Sequence, residues 1–293
     1  MANAAMILCA GLGTRLRPLT DELPKPLVPV GDRPVLASIA ARLRAAGVRR
    51  AVVNTHHLAA AFASIYEWMD VEVQVTHEPR ILGTAGGIAA SRRRLGAAPV
   101  VVWNGDILAS PPVGRLLDLA APGGLSLAVA RRSAGEGTVG VDAEGHVVRL
   151  RGEVFGLEHF GGDYIGVAAV GARVLEQLPA EGCLIGDVAL PELRRGGVVP
   201  TARVTAPWCD LGDPASYHAA NMRWLDEQRH GSFSAPSASV SAGVQLSRSI
   251  VGAGAEVGGR GALSRVVVWP GAAVRAPLAD AIVLRSGRVV RIR

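Results

Sequence analysis

The run GLGTRLRPLTDELPKPLVP, residues 11–29, places Gly11, Gly13, Arg15 and Lys25 in one loop directly after an apolar stretch. Two glycines let a backbone approach a ligand closely, and a turn of exposed N–H groups forms a nest for an anion. Arg15 and Lys25 add side-chain charge, so the chemistry this loop suits is the handling of phosphates. A dinucleotide fingerprint fails because G-L-G-T-R-L lacks the third glycine, and a Walker A loop fails because no G-K-[ST] follows. Lys25 is the single lysine among 31 Lys plus Arg. Pro24 and Pro26 restrict the backbone on either side of it, which predicts an extended residue projecting from a stiff, exposed loop. An ammonium is a compact charge on a long stem, able to reach between phosphate oxygens of two substrates without a guanidinium's planar fork.

Two carboxylates stand out. Asp106 lies in WNGD and Asp210 in WCDLG, each just after an apolar run. Mg²⁺ characteristically takes one or two carboxylates and leaves its other positions to phosphates and water. An isolated Asp also serves as a turn former or helix cap, and Asp213, before Pro214, is the expected cap of the helix that follows. His56 and His57 in NTHHL follow a strand and read as capping or packing residues. No nucleophile–His–Asp set is evident.

The elements that must position these residues alternate. AAMILCA, RRAVVNT, VEVQVTH and PVVVWN read as strands with helical segments between them. One helix starts at Pro34, with Leu36, Ile39, Leu43 and Ala46 at the helical period and Gly47 to end it. This alternation implies an α/β layered domain with ligands at the carboxyl ends of the strands. Residues 138–170 read as Gly-bounded hairpins, VVPTARV as a further strand, and Pro214–Gln228 as a closing helix. After His230 the texture changes. APSASV (235–240), GAGAEV (252–257) and WPGAAV (269–274) recur at an offset of 17, and LSRSIV (246–251) matches LSRVVV (263–268). Apolar residues at near-six spacing indicate a short hexapeptide β-helix of three coils, the last one residue shorter. The expected domains are therefore 1–230 and 231–293.

Composition narrows the function. With 49% hydrophobic residues the chain can bury a large core, and no uninterrupted apolar run of about 18 residues suggests a membrane span. The first residues lack a basic region, so their apolar run reads as a strand rather than a signal peptide. Cys9, Cys183 and Cys209 are odd in number and far apart, which suits a reducing cytoplasm without disulfides or a zinc site. The net charge of +6 and pI near 10.0 come from scattered arginines without interleaved aromatics. Nucleic acid is not the expected partner; small phosphorylated substrates are.

AGLGTRLRPLTDELPKPLVPV resembles the signature of the sugar-1-phosphate nucleotidylyltransferases, and EPRILGTAGGI, NGDIL and WCDLGDPASYHAAN follow in the family's order. The resemblance covers roughly residues 4–228. It implies a Rossmann-like mixed-sheet α/β nucleotidyltransferase domain, and a short C-terminal left-handed β-helix occurs in part of the family. It also implies that Ala10, Gly11, Gly13, Thr14, Arg15, Gly83, Thr84, Gly86 and Asn104 bind nucleotide, that Arg15, Lys25 and Asp106 serve catalysis, and that Asp106 and Asp210 hold Mg²⁺. Lys25 and Gly87 would meet the sugar phosphate. The family's Glu-Lys pair in the sugar region has no counterpart here, because no lysine is present; Glu153 and Asp163 are the candidates for sugar hydroxyls, with Arg149 or Arg151 near the phosphate.

The implied reaction joins an NTP and a sugar 1-phosphate into an NDP-sugar and pyrophosphate. A sugar 1-phosphate needs no general base, only charge neutralisation and in-line positioning. The segments look most like enzymes joining GTP and mannose 1-phosphate, and nearly as much like those acting on N-acetylmuramate or heptose 1-phosphate with UTP or GTP. A non-catalytic nucleotide-sugar sensor is a competing class, set aside because Arg15, Lys25, Asp106 and Asp210 are all present. An acyltransferase role for the coils is disfavoured because the last histidine, His230, precedes them. The coils suit a structural role or contacts within a homo-oligomer.

Overall fold

The computed structural model of the protein describes residues 4–96 and 99–292. The chain divides into two compact units. The first holds residues up to Gly11 and Leu36–Trp208; the second holds Leu12–Val35 together with Cys209 onward.

The first unit is built on a mixed sheet. Its main strands are β1 (Ala4–Leu8), β2 (Arg50–Thr55), β3 (Glu72–His77), β4 (Val100–Asn104), β5 (Leu125–Arg132), β6 (Val139–Val141), β7 (Val147–Leu150), β8 (Phe160–Val170) and β9 (Thr201–Val204), with the two-residue strand Glu153–Val154 at the edge beside β7. The order runs β7-β6-β8-β4-β1-β2-β3, with β5 also paired to β8 and β9 to β5. β4, β1, β2 and β3 are mutually parallel, while β8 runs antiparallel to β4. Met6, Ile7, Val52, Val53, Val101 and Val102 are buried without regard to strand face, as expected of central strands covered on both sides. The covering helices are α1 (Val35–Ala45), α2 (Gly83–Leu95) and α3 (Val113–Ala120). In α1, Leu36, Ile39 and Leu43 face the core as their spacing predicts. Ala46 does not: it lies past the helix end and is exposed. Its amide reaches the Arg42 carbonyl as the chain turns through Gly47, which takes a φ of +86°.

The second unit begins with three short 3₁₀ turns, Thr14–Leu16, Leu19–Asp21 and Lys25–Leu27. Lys25 is therefore not extended as its flanking prolines suggest. The Leu27 amide donates to the Pro24 carbonyl at 2.8 Å, and this turn buries Pro26, Leu27 and Val28 together. A small hairpin follows, Pro29–Val30 against Arg33–Pro34. The helix α4 (Pro214–Glu227) then opens with Asp213, whose Oδ1 accepts from the Ser216 amide at 2.8 Å while Ser216 Oγ accepts from the Asp213 amide at 3.0 Å.

Beyond α4, short parallel strands stack in register at 17 residues. Phe233 pairs with Ile250 and Ile250 with Val267; Ser239 pairs with Glu256 and Glu256 with Ala273. The last coil departs from the period: Leu263 pairs with Leu278 and Val268 with Val283, an offset of 15. It is two residues shorter, not one. Val289–Arg291 then turns back antiparallel along Ala281–Val283.

The stacked coils share a unit with α4 and residues 12–35, and buried hydrogen bonds run between them: Trp269 Nε1 donates to Tyr217 Oη at 2.8 Å, and Tyr217 Oη donates to the Pro29 carbonyl at 2.5 Å.

The Asp213 cap yields a test. Hydrogen bonding from the Ser216 amide lowers its carboxyl pKa, so its contribution is complete above the unfolded value near 4 and is lost as pH falls through the folded one. Asp213→Ala should cost about 1 kcal/mol at neutral pH. In urea titrations the gap between variant and parent should close in acid.

Candidate active site

In the first unit the parallel strands end level with one another. Leu8 pairs with both Asn54 and Asn104, and Thr55 pairs with His77. The residues just beyond these ends converge by register alone, at the edge where α/β sheets bind ligands. A cavity of about 180 Å³ opens there, lined by Ala10, Gly11, Gly83, Thr84, Asn104 and Asp106. All six are positions that the sequence proposes for nucleotide or metal.

Leu8, Asn54, Glu78 and Ile81 line the same cavity and were missed. Asn54 and Glu78 form its buried frame. The Cys9 amide donates to Asn54 Oδ1 at 2.8 Å, Asn54 Nδ2 donates to Glu78 Oε1 at 2.7 Å, and the Leu82 amide donates to Glu78 Oε2 at 3.1 Å. The network ties the start of the glycine-rich loop to the start of α2. A polar residue closing the apolar strand RAVVN was the available signal for Asn54. For Glu78 it was the acid of EPR, four residues before Leu82.

Gly86 and Gly87 sit beneath this cavity, buried, rather than on its lining. A Cβ on Gly87 would lie 2.7 Å from Asn54 Nδ2 and 2.8 Å from Glu78 Oε1; one on Gly86 would lie 2.6 Å from the Ala180 carbonyl. Thr84 Oγ1 accepts from the Leu184 amide at 2.6 Å. Much of LGTAGG thus allows close packing of α2. The Cys9 thiol is pushed well above its ordinary range by burial and by the negative charge of Asp106, so it is a neutral packing group. His56 Nδ1 lies 2.8 Å from the Glu78 carbonyl, and its ring stacks on His77 at 6.5 Å. His56 accordingly packs the end of β2.

The sugar-region candidates are engaged in ion pairs. Glu153 pairs with Arg194, which lowers the Glu153 pKa through their hydrogen bond, and Asp163 pairs with Arg132 at 2.7 Å. Arg149 pairs with Glu158 at 2.8 Å and also donates to the Glu136 carbonyl, while Arg151 donates to Cys183 Sγ.

The second unit carries the rest of the signature loop, Gly13, Thr14, Arg15 and Lys25, together with Asp210. Gly13 takes a φ of +62°, and a Cβ there would fall 2.7 Å from Thr20 Cγ2. Thr20 Oγ1 donates to the Gly13 carbonyl at 2.8 Å, fixing the turn. Lys25 is not exposed: its side chain retains 11% of its accessible area. Its Nζ lies 3.3 Å from Asp210 Oδ1, and Arg15 Nη2 lies 3.8 Å from Asp210 Oδ2. Each Asp210 oxygen therefore faces one cation. Among the described residues no three His, Cys, Asp or Glu side chains form a metal cage, so a divalent ion here would rely on single carboxylates and on oxygens from elsewhere.

The family described as Nucleotidyl transferase matches residues 4–150. The chain belongs to this family. Among nucleotidyl transferases, a mannose-1-phosphate guanyltransferase of Aspergillus fumigatus is 29% identical over 232 residues, 75% of this chain and 64% of that protein. An N-acetylmuramate alpha-1-phosphate uridylyltransferase of Neisseria meningitidis is 40% identical over 108 residues, 36% of this chain and 47% of that one. The chain spans less than two thirds of the length of these curated relatives. The crystal structure of HddC from Yersinia pseudotuberculosis shares the fold, with a TM-score of 0.64 and 23% identity over 76% of this chain and 99% of that one. Among the described residues no helix is long and apolar enough to cross a membrane.

Removing the Asn54 amide would leave the Glu78 carboxylate and the Cys9 amide short of partners in a buried place. Asn54→Ala should therefore destabilise the protein by about 2 kcal/mol in denaturant titrations.

Proposed function

We propose that this nucleotidyl transferase moves a nucleotidyl group from an NTP to a sugar 1-phosphate, forming an NDP-sugar and pyrophosphate. One observation carries the reading: the cavity at the strand ends gathers Ala10, Gly11, Gly83, Thr84 and Asn104, positions at which the signature motifs place nucleotide, with Asp106, where they place the metal. A phosphate oxygen of the sugar 1-phosphate attacks the α-phosphorus, that bond forms, and the bond to pyrophosphate breaks. The attacking group is already anionic, since a phosphate monoester loses its second proton near pH 6. No proton has to be removed. The work left to the protein is orientation and charge neutralisation. Arg15 and Lys25 supply positive charge, and the Asp210 carboxylate at 3.3 Å fixes the direction of the Lys25 ammonium. Gly87 is assigned to the backbone around the sugar phosphate, with Glu153 and Asp163 as the sugar-hydroxyl candidates.

Mg²⁺ is the proposed cofactor, with Asp106 and Asp210 as its protein ligands. The donor set fits a hard cation, being carboxylate oxygen in both cases, and Asp210 is open enough to accept one, with 41% of its side chain accessible. Bound there, the ion would neutralise phosphate charge.

GTP and mannose 1-phosphate are the leading substrates, supported by the guanyltransferase relative that aligns with 75% of the chain. UTP with N-acetylmuramate 1-phosphate is the second reading, favoured by the higher identity of 40% to the uridylyltransferase over a shorter span. The 17-residue coils are read as a left-handed β-helix. A homo-oligomer with contacts from residues 231–293 is supported by Phe233–Ser234, the terminal strand of its sheet and an edge open to pairing.

A matrix of four NTPs against mannose, heptose and N-acetylmuramate 1-phosphates, read by pyrophosphate release, should give one strong pair. Silence across the matrix would refute the reaction. EDTA should abolish the signal, and Asp106→Asn should cut turnover by orders of magnitude; full activity in EDTA would remove Mg²⁺ from the proposal. Lys25→Arg should lose most activity despite keeping its charge. Because the site is buried, the bulkier guanidinium should also cost about 1–3 kcal/mol, so turnover is to be measured well below the variant's melting temperature.

A further inference from the structure

The repeat itself contains an irregularity. Aligned at 17 residues, the coils place Ala235, Gly252 and Trp269 at equivalent positions, and only the third is large. Trp269 is completely buried, as is Tyr217 on α4. Their rings meet edge to face, with centroids 6.4 Å apart and an interplanar angle of 71°. The indole Nε1 donates to Tyr217 Oη, which in turn donates to the carbonyl of Pro29, four residues after Lys25.

One helical turn further along the same face of α4, Asn221 is also fully buried. Its Oδ1 accepts from the Gly31 amide at 3.0 Å, and its Nδ2 donates to the Tyr217 carbonyl at 3.1 Å. Trp224, a turn beyond, lies so close that a Cβ on Gly31 would fall 2.1 Å from its ring. The body of α4 therefore grips residues 29–31, while its lead-in supplies Asp210, which faces the Lys25 ammonium. The segment just after Lys25 is thus held by α4, and the Lys25 ammonium is met by a carboxylate that precedes the same helix. The coil residue Trp269 is what fixes the Tyr217 end of that grip.

We propose that Trp269 is a positioning residue for the Lys25 loop, acting through Tyr217 and the Pro29 carbonyl, so that the C-terminal coils brace the phosphate-handling loop. The proposal rests on the reading of Lys25 given above, but its geometry can be tested apart from turnover. A buried hydrogen bond of this kind resists local opening of what it holds. Loosening it exposes the ammonium before it unfolds the chain.

The single lysine makes this measurable in the full-length protein. Lys25 and the N-terminus are the only primary amines, so an N-hydroxysuccinimide ester at neutral pH modifies Lys25 at a rate that peptide mass spectrometry reads directly. Trp269→Phe keeps an aromatic ring and removes the donor; Tyr217→Phe keeps the ring and removes the hydroxyl. Both should raise the Lys25 acylation rate about fivefold and lower kcat by a similar factor. Val267→Ala, a buried change in the adjoining strand, serves as the reference for general loosening and should do neither at matched loss of melting temperature. Unchanged acylation in both aromatic variants overturns the brace, as does acceleration no greater than in Val267→Ala. If acylation accelerates as expected in a protein that releases pyrophosphate with no substrate pair, the brace stands and the proposed reaction falls.

Discussion

A lysine ammonium withdrawn from water is costly unless an opposite charge compensates it. The Lys25–Asp210 pair meets that demand across 185 positions of sequence, and the second unit is organised around it. The three 3₁₀ turns bring the loop back on itself with Lys25 inward. The Asp213 cap starts α4 just beyond Asp210, so the carboxylate is delivered from a fixed helix end rather than from a free loop. Arg15 meets the other oxygen of the same carboxylate but stays largely in solvent. One cation is thus buried and the other exposed on the same carboxylate.

The first unit solves a different problem. Parallel pairing aligns four strand ends, and this places the glycine-rich loop, Asn54, Glu78 and Asp106 together without any of them being near in sequence. The Asn54–Glu78 pair shows how narrow the tolerance is. Both side chains occupy the space that a Cβ on Gly87 would need, so a glycine read as a place for ligand approach is equally a place for protein approach.

The sequence made the central strands legible because they are covered on both faces and read as continuous apolar runs. It made the coils legible because stacking requires a repeat. Gly11 and Asp106 were readable because a motif glycine and an acid follow closely on those strands, whereas Ala10, Gly83, Thr84 and Asn104 came from the resemblance of their motifs to the family's. Asn54 and Glu78 each left a local sign at a strand end, but their pairing shows itself only when two strands are known to be neighbours. The burial of Lys25 was hidden for a similar reason: its compensating carboxylate lies far away, and prolines on both sides signal stiffness without saying which way the chain turns. The compact units were equally hidden, because Tyr217 and Trp269 carry no sign of the hydroxyl and indole contacts that join the coils to residues 29–31.

The stacking period also governs how the tail can change in length. Every inward-facing residue of a coil is placed by the rung beneath it, so inserting or deleting one residue would turn the following apolar side chains outward. A whole rung of 17 residues preserves the register and can be added or removed as a unit. A change of two residues is accommodated where a register shift absorbs it, as between Gly259 and Leu263. Trp269 lies against Tyr217 of α4 ahead of the shortened step, and Val289–Arg291 then runs back antiparallel along Ala281–Val283.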